Sequence, residues 1–257
     1  VTTSGARALR ATAALGLAAL TTSLAACGAP ATSAGGGGRT LTVLAAASLT
    51  DVFEQVAADF EADHPGVTVE QSFSASSTIV QQVNEGAPAD VIALAGQSSL
   101  DPLAPELRLG PPVVFTTNTL ELAVPADNPA GIGGTQDLTK DGIRLVVCQP
   151  EVPCGTAART LFEHLGISPD VASFEPDVRA TLSKVELGEA DVGVVYRTDV
   201  AAAGDGVAGV EIPAADNVVS SYPVLAVSGS PLAQAFIDEV MSGRGQQRLA
   251  DAGFVAP

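Results

Sequence analysis

The sequence predicts an α/β protein with largely parallel sheets, and three observations predict it. Short apolar runs alternate with amphipathic ones along most of the chain. Residues that start or stop helices (Ser, Asp, Pro, Gly) stand at the points where one kind of run gives way to the other. The composition, 46% hydrophobic with no Trp and only 4% aromatic, belongs to a packed chain and not to a disordered one.

The elements follow in order. Leu41–Ala46 reads as a strand. Leu49, Val52, Phe53, Val56 and Phe60 then fall on one helical face. Ser48, with Asp51 three residues on, has the form of a capping box for that helix, and Pro65-Gly66 stops it. Val67–Phe73 is a strand, and Ser76 opens a helix through Ile79, Val80 and Val83 that ends at Gly86. Asp90–Ala95 is a buried strand followed by a turn-helix near 97–103. Leu120–Val124 and Arg144–Cys148 are strands, and Thr156–Leu165 is a helix closed by Gly166. Asp177 caps a helix that runs to Leu187 before Gly188, and Asp191–Tyr196 is a buried strand. Val224–Val227 is the last strand, and Leu232–Met241 a helix with Phe236, Ile237, Val240 and Met241 facing inward.

Residues 1–26 carry Arg7, Arg10 and no acid, then an apolar stretch, which is the layout of a secretory signal. The stretch is interrupted by Thr and Ser and is short for a membrane span. It ends in Leu24-Ala-Ala-Cys27-Gly28. Small residues before a cysteine, with Gly after it, resemble the lipobox of bacterial lipoproteins, which implies lipid on Cys27. A short membrane anchor with an ordinary cysteine is the alternative. Residues 27–39 form a Gly/Ala/Ser/Pro tether, and the remainder is large enough for one big or two small domains.

The chain has 12 basic and 29 acidic side chains, and loss of residues 1–26 leaves 10 basic ones. Such a balance excludes nucleic acid as a natural partner. It also means that an anionic ligand would be held by local dipoles against the overall field. If Cys27 carries lipid, Cys148 and Cys154 remain as a pair six residues apart. In an oxidising compartment they can form a disulfide worth about 2 kcal/mol, the alternative being two free thiols. His64 and His164 are too few and too scattered for a zinc site.

The strand-to-helix junctions are the candidate site, because ligands of open α/β sheets lie beyond the carboxyl ends of strands. Ser48 and Ser76 offer hydroxyls, and the segments at Cys154 and at Val178 offer free backbone N–H groups. None of these is a charged side chain. Taken singly, Ser48 reads as a helix cap, Ser76 and Ser77 as a polar turn, Val178 as core, and Tyr196 as core with its hydroxyl at the rim.

Five motifs in order carry more. Ala45-Ala-Ala-Ser-Leu-Thr50, Phe73-Ser-Ala-Ser-Ser-Thr78, Gly86-Ala-Pro-Ala-Asp90, Asp177-Val-Arg179 and Val194-Val-Tyr196 together resemble the molybdate-binding proteins of molybdate ABC importers, from about Leu41 to Gly253-Phe254. The resemblance implies a two-lobe type II periplasmic-binding-protein fold with a ligand cleft between the lobes. Lobe one is expected at 40–120 and 224–257 and lobe two at 121–223, with crossings near Thr119–Leu122 and Tyr222–Val224. It further implies that an oxyanion, molybdate or tungstate, is bound without a cofactor by Ser48, Ser76, the N–H groups of Cys154 and Val178, and the hydroxyl of Tyr196. The ligand's oxygens accept these bonds, and no side chain ligates the metal directly.

Two departures from the family pattern stand out. Cys154 sits where a small residue such as Ala is usual, in a loop that looks one residue shorter. The serines of Phe73–Thr78 are shuffled, so Ser77 could replace Ser76. The expected partners are an ABC permease with its ATPase and, through Cys27, the outer face of the cell membrane. The protein itself is expected to be a monomer. A sensor with the same pocket, or a binder of sulfate, are the neighbouring readings. A hydrolase is disfavoured because no Gly-x-Ser-x-Gly elbow is present.

Overall fold

The computed structural model describes residues 39–257. Cys27, the expected signal sequence and nearly all of the expected tether lie outside the described residues. The strands are β1 (Arg39–Ala46), β2 (Val67–Ser74), β3 (Val91–Ala93), β4 (Val113–Pro125), β5 (Leu145–Cys148), β6 (Val171–Glu175), β7 (Val192–Tyr196), β8 (Val207–Glu211) and β9 (Val219–Ala226). The helices are α1 (Thr50–Asp63), α2 (Ser76–Asn84), α3 (Pro153–Leu165), α4 (Val178–Glu186), α5 (Arg197–Ala203), α6 (Pro231–Met241) and α7 (Gly243–Asp251).

The strands lie in the order β2-β1-β3-β9-β4-β7-β5-β6, with β8 also on β4. The 13-residue strand β4 belongs to both lobes. Val113–Thr119 pair with β9, whereas Leu120–Pro125 pair with β7 and β8. The first crossing therefore falls between Thr119 and Leu120. On the return, β9 pairs with the first sheet from Val219 onward. Asn217 joins the two crossings: its amide accepts from Leu120 N at 3.0 Å and donates to Leu120 O at 2.8 Å.

The sheets are mixed, which corrects the expectation of largely parallel pairing. β1 pairs in parallel with β2 and β3, and β5 with β6 and β7, but the four pairings made by β4 and β9 are all antiparallel. A chain that crosses between lobes and returns sends its two crossing strands in opposite directions.

Each lobe has a core of the kind its sequence periodicity dictates. In β1, Leu41, Val43 and Ala45 face one apolar cluster while Leu44 faces another, so the strand is buried on both sides. The first cluster holds Phe53 and Phe60 of α1 with Phe115 and Phe236, whose rings meet tilted or edge-on at 5.4–6.0 Å. Burying each such ring stabilises by about 1.5–3 kcal/mol. The second lobe packs α3 and α4 on β5 and β7 through Ala158, Leu161, Leu182, Val185, Val192 and Val194. Met241, expected inward, is 41% exposed, because α6 ends there and the chain turns into α7.

Candidate functional site

Three α-helices start at one place between the lobes. α2 begins at Ser76, α3 at Pro153 and α4 at Val178, and the short 3-10 turn Ala47–Leu49 starts beside them. Each terminus presents N–H groups with no partner inside its own helix and the positive end of its dipole. Their common space is a small cavity. It is lined by Ala46–Ser48 and Ser74–Ser76 with Ala95 from one lobe, and by Pro153, Cys154, Asp177, Val178 and Tyr196 from the other. Ser48, Ser76, Cys154, Val178 and Tyr196 thus all line the same cavity. Ser77 instead lines a wider neighbouring groove with Gly96, Ser99 and Thr156.

The local structure that holds each group differs from what short-range patterns suggest. Ser48 caps nothing; its hydroxyl lies 2.9 Å from that of Tyr222, 174 residues away. The first turn is closed instead by Thr50, whose hydroxyl donates to Ala47 O at 2.7 Å. Ser76 is 1% exposed, and its hydroxyl accepts from Ala95 N–H at 2.9 Å. Asp177 does cap α4, accepting from Ala180 N at 2.9 Å, so the wall contains one carboxylate, already engaged. Cys154 stands in the first turn of α3 and is joined to Cys148 by a disulfide. Gly155 next to it is required by close approach: a Cβ there would fall 1.9 Å from Gln149 O.

Tyr196 is 1% exposed and its hydroxyl is the one buried side-chain polar atom, among the described residues, with no hydrogen-bond partner. Burial holds this phenol well above its ordinary range, although the Ser220 and Tyr222 hydroxyls nearby temper the effect without reaching hydrogen-bond geometry. It is a protonated donor at any physiological pH. A buried polar group left unmade costs about 1–3 kcal/mol, so its orphan state marks a place for a ligand acceptor.

Behind Tyr196 lies Asp199, also buried, whose carboxylate accepts the Tyr196 N–H at 2.9 Å. Burial pushes its pKa up to about 7; the Tyr196 N–H and Arg179 oppose the shift, and Asp51 and Asp177 add to it. Among the described residues no cluster of His, Cys, Asp or Glu could hold a metal ion, and no helix is long and apolar enough to cross a membrane.

Residues 41–255 match the family described as bacterial extracellular solute-binding protein. The chain belongs to that family. As a solute-binding protein it is 39% identical over 247 residues to the molybdate-binding protein ModA of Mycobacterium tuberculosis, covering 93% of this chain and 95% of the relative. It is 32% identical to ModA of Escherichia coli, over 83% of this chain and 88% of that one. Its fold matches the periplasmic molybdate-binding protein of Azotobacter vinelandii with a TM-score of 0.72 at 21% identity, covering 84% and 99% of the two chains. The sulfate-binding protein SubI of M. tuberculosis gives 0.74 at 21% identity, covering 84% and 86%.

Sequence reading did not single out four residues of this solute-binding protein that stand behind the cavity: Tyr222, Asn118, Thr198 and Asp199. Asn118 donates to Thr198 Oγ1 at 2.8 Å and lies 3.5 Å from the Tyr222 hydroxyl. No motif marks these positions, which are brought together only by the pairing of β4 with β9 and β7.

Proposed function

We propose that this protein captures molybdate, and tungstate with it, outside the cytoplasmic membrane and delivers it to an ABC permease and its ATPase. The observation that carries the reading is the buried, unpartnered Tyr196 hydroxyl in a cavity that also holds Ser48, Ser76 and three helix N-termini. Ser48, Ser76 and Tyr196 donate from hydroxyls, and Cys154 and Val178 from the backbone. A fully ionised oxyanion accepts all five. The names of its relatives point to the same ligand.

Hydrogen bonds to a charged acceptor contribute about 1.5–3 kcal/mol each. Five of them, offset by closure and immobilisation, make binding micromolar or tighter. A lining of donors disfavours a protonated oxyanion, whose own O–H would find no acceptor. So small a cavity suits a compact ion better than a sugar or peptide. No catalysis is assigned. Ser48 is paired with a phenol and Ser76 with a backbone N–H, so neither has a general base beside it. We assign lipid to Cys27, which would keep a monomeric binder at the membrane surface near its permease.

Calorimetric titration tests the site. Tyr196→Phe and Ser48→Ala should each weaken molybdate binding about tenfold or more, from loss of one charge-assisted bond. Unchanged affinity in both would reject the assignment.

A further inference from the structure

We infer that Tyr222 is a positioning residue that sets the direction of the Ser48 proton, and so makes Ser48 an obligate donor to the ligand. The inference rests on the reading of the cavity as an oxyanion site. It begins at Asn118. The Asn118 Oδ1 accepts Thr119 N–H at 3.0 Å, so the amide nitrogen is the atom that faces Thr198 Oγ1 at 2.8 Å and the Tyr222 hydroxyl at 3.5 Å. An amide nitrogen donates and does not accept. Tyr222 is 0% exposed, so water cannot take its proton either. The nearby Tyr196 oxygen makes no hydrogen bond, so the remaining acceptor for that proton is Ser48 Oγ, at 2.9 Å.

Ser48 then receives a bond from behind, and its own proton is directed into the cavity. The opposite arrangement, Ser48 donating to Tyr222, would leave the phenol proton buried with no acceptor. Burial holds the Tyr222 phenol well above its ordinary range, which keeps it protonated for this task. Ser76 obeys the same rule by different means, since Ala95 N–H occupies its oxygen from behind and leaves its proton for the cavity. With the unpartnered Tyr196 hydroxyl, all three hydroxyls present protons. Discrimination against a protonated oxyanion is thus built in behind the cavity wall, by Asn118 and Tyr222, as much as in the wall.

A double-mutant cycle with molybdate tests this. Tyr222→Phe keeps the ring that packs edge-on against Phe115, Tyr196 and Phe254 and removes only the hydroxyl. It should weaken binding about fivefold in the native background and less than about twofold in Ser48→Ala, because it acts through Ser48. Equal losses in both backgrounds would show a general structural role and overturn the inference. Failure of the unaltered protein to bind molybdate would instead defeat the site reading, and is seen in the first titration. Should Tyr222→Phe not fold, neutron diffraction of the unaltered, molybdate-loaded protein reads the same point. The Ser48 deuteron should face the ligand and the Tyr222 deuteron should face Ser48; the reverse orientation would overturn the inference.

Discussion

Arg179 at the start of α4 reaches across the cleft to Asp51 at the start of α1, with Nη2 2.6 Å from Oδ2. One residue belongs to each lobe; Arg179 adjoins Val178 of the cavity wall, and Asp51 lies three residues beyond Ser48. The pair is 32% and 52% exposed, so water screens it and its contribution is about 0–1 kcal/mol. Asp51→Asn should therefore weaken molybdate binding only about two- to threefold. The loss should shrink as ionic strength rises to physiological values. Titrations of both proteins at low and physiological salt check this; a hundredfold loss would mean that the pair, and not the cavity donors, holds the lobes together.

Ser76 and Ser77 are adjacent in sequence but face different spaces. Ser76 lines the small cavity between the helix N-termini and Ser77 the wider groove beside it. Ser76→Ala should cost about tenfold or more in molybdate affinity, and Ser77→Ala less than about twofold. Calorimetry on the two variants decides between them.

Much of this fold was legible because its signals are local. The periodic apolar faces of α1, α2, α3, α4 and α6, the Asp177 cap and the αL glycine Gly166 all act within a few residues. The missed elements lack such signals. The first half of β4 buries Thr116 and Asn118, which read as loop residues until partners for them are known. β6 and β8 each hold only one buried residue, at one end, and α7 is polar on most of its surface. A family resemblance named five donors, and the structure gathers those five residues around one cavity. Its support was not, because Ser48–Tyr222 and Asn118–Thr198 join residues 174 and 80 apart in sequence. The apparent Ser48 cap failed for the same reason: a distant phenol takes the hydroxyl.

Gly155 fixes how closely α3 approaches the end of β5. A methyl group there would collide with Gln149 O at 1.9 Å and Cys148 O at 2.7 Å, both backbone atoms that cannot turn aside. Gly155→Ala should push the first turn of α3, and with it the Cys154 N–H, out of place. We expect a lower melting temperature and molybdate binding weakened by tenfold or more. Native melting and affinity would show that this turn is softer than its packing suggests.

Asp199 makes stability depend on pH. Its folded pKa is raised to about 7 by burial, above the ordinary value of 3.8. The native state therefore binds the proton more tightly than the unfolded chain between those values. The stabilisation is fully present below about pH 4 and is lost as pH rises through about 7. For the ligand-free protein this one group should lower the melting temperature between pH 5 and pH 8, and Asp199→Asn should flatten that segment of the profile. Asn can still accept the Tyr196 N–H. A profile identical in both proteins would place the titrating group elsewhere.

The claim that the cavity is a molybdate site is tested most directly by calorimetric titration of the ligand-free protein with molybdate, tungstate, sulfate and inorganic phosphate. The account predicts one site per chain, micromolar or tighter for molybdate and tungstate, and at least about tenfold weaker for sulfate and phosphate. Sulfate binding as tightly as molybdate, or no molybdate binding at all, would contradict it.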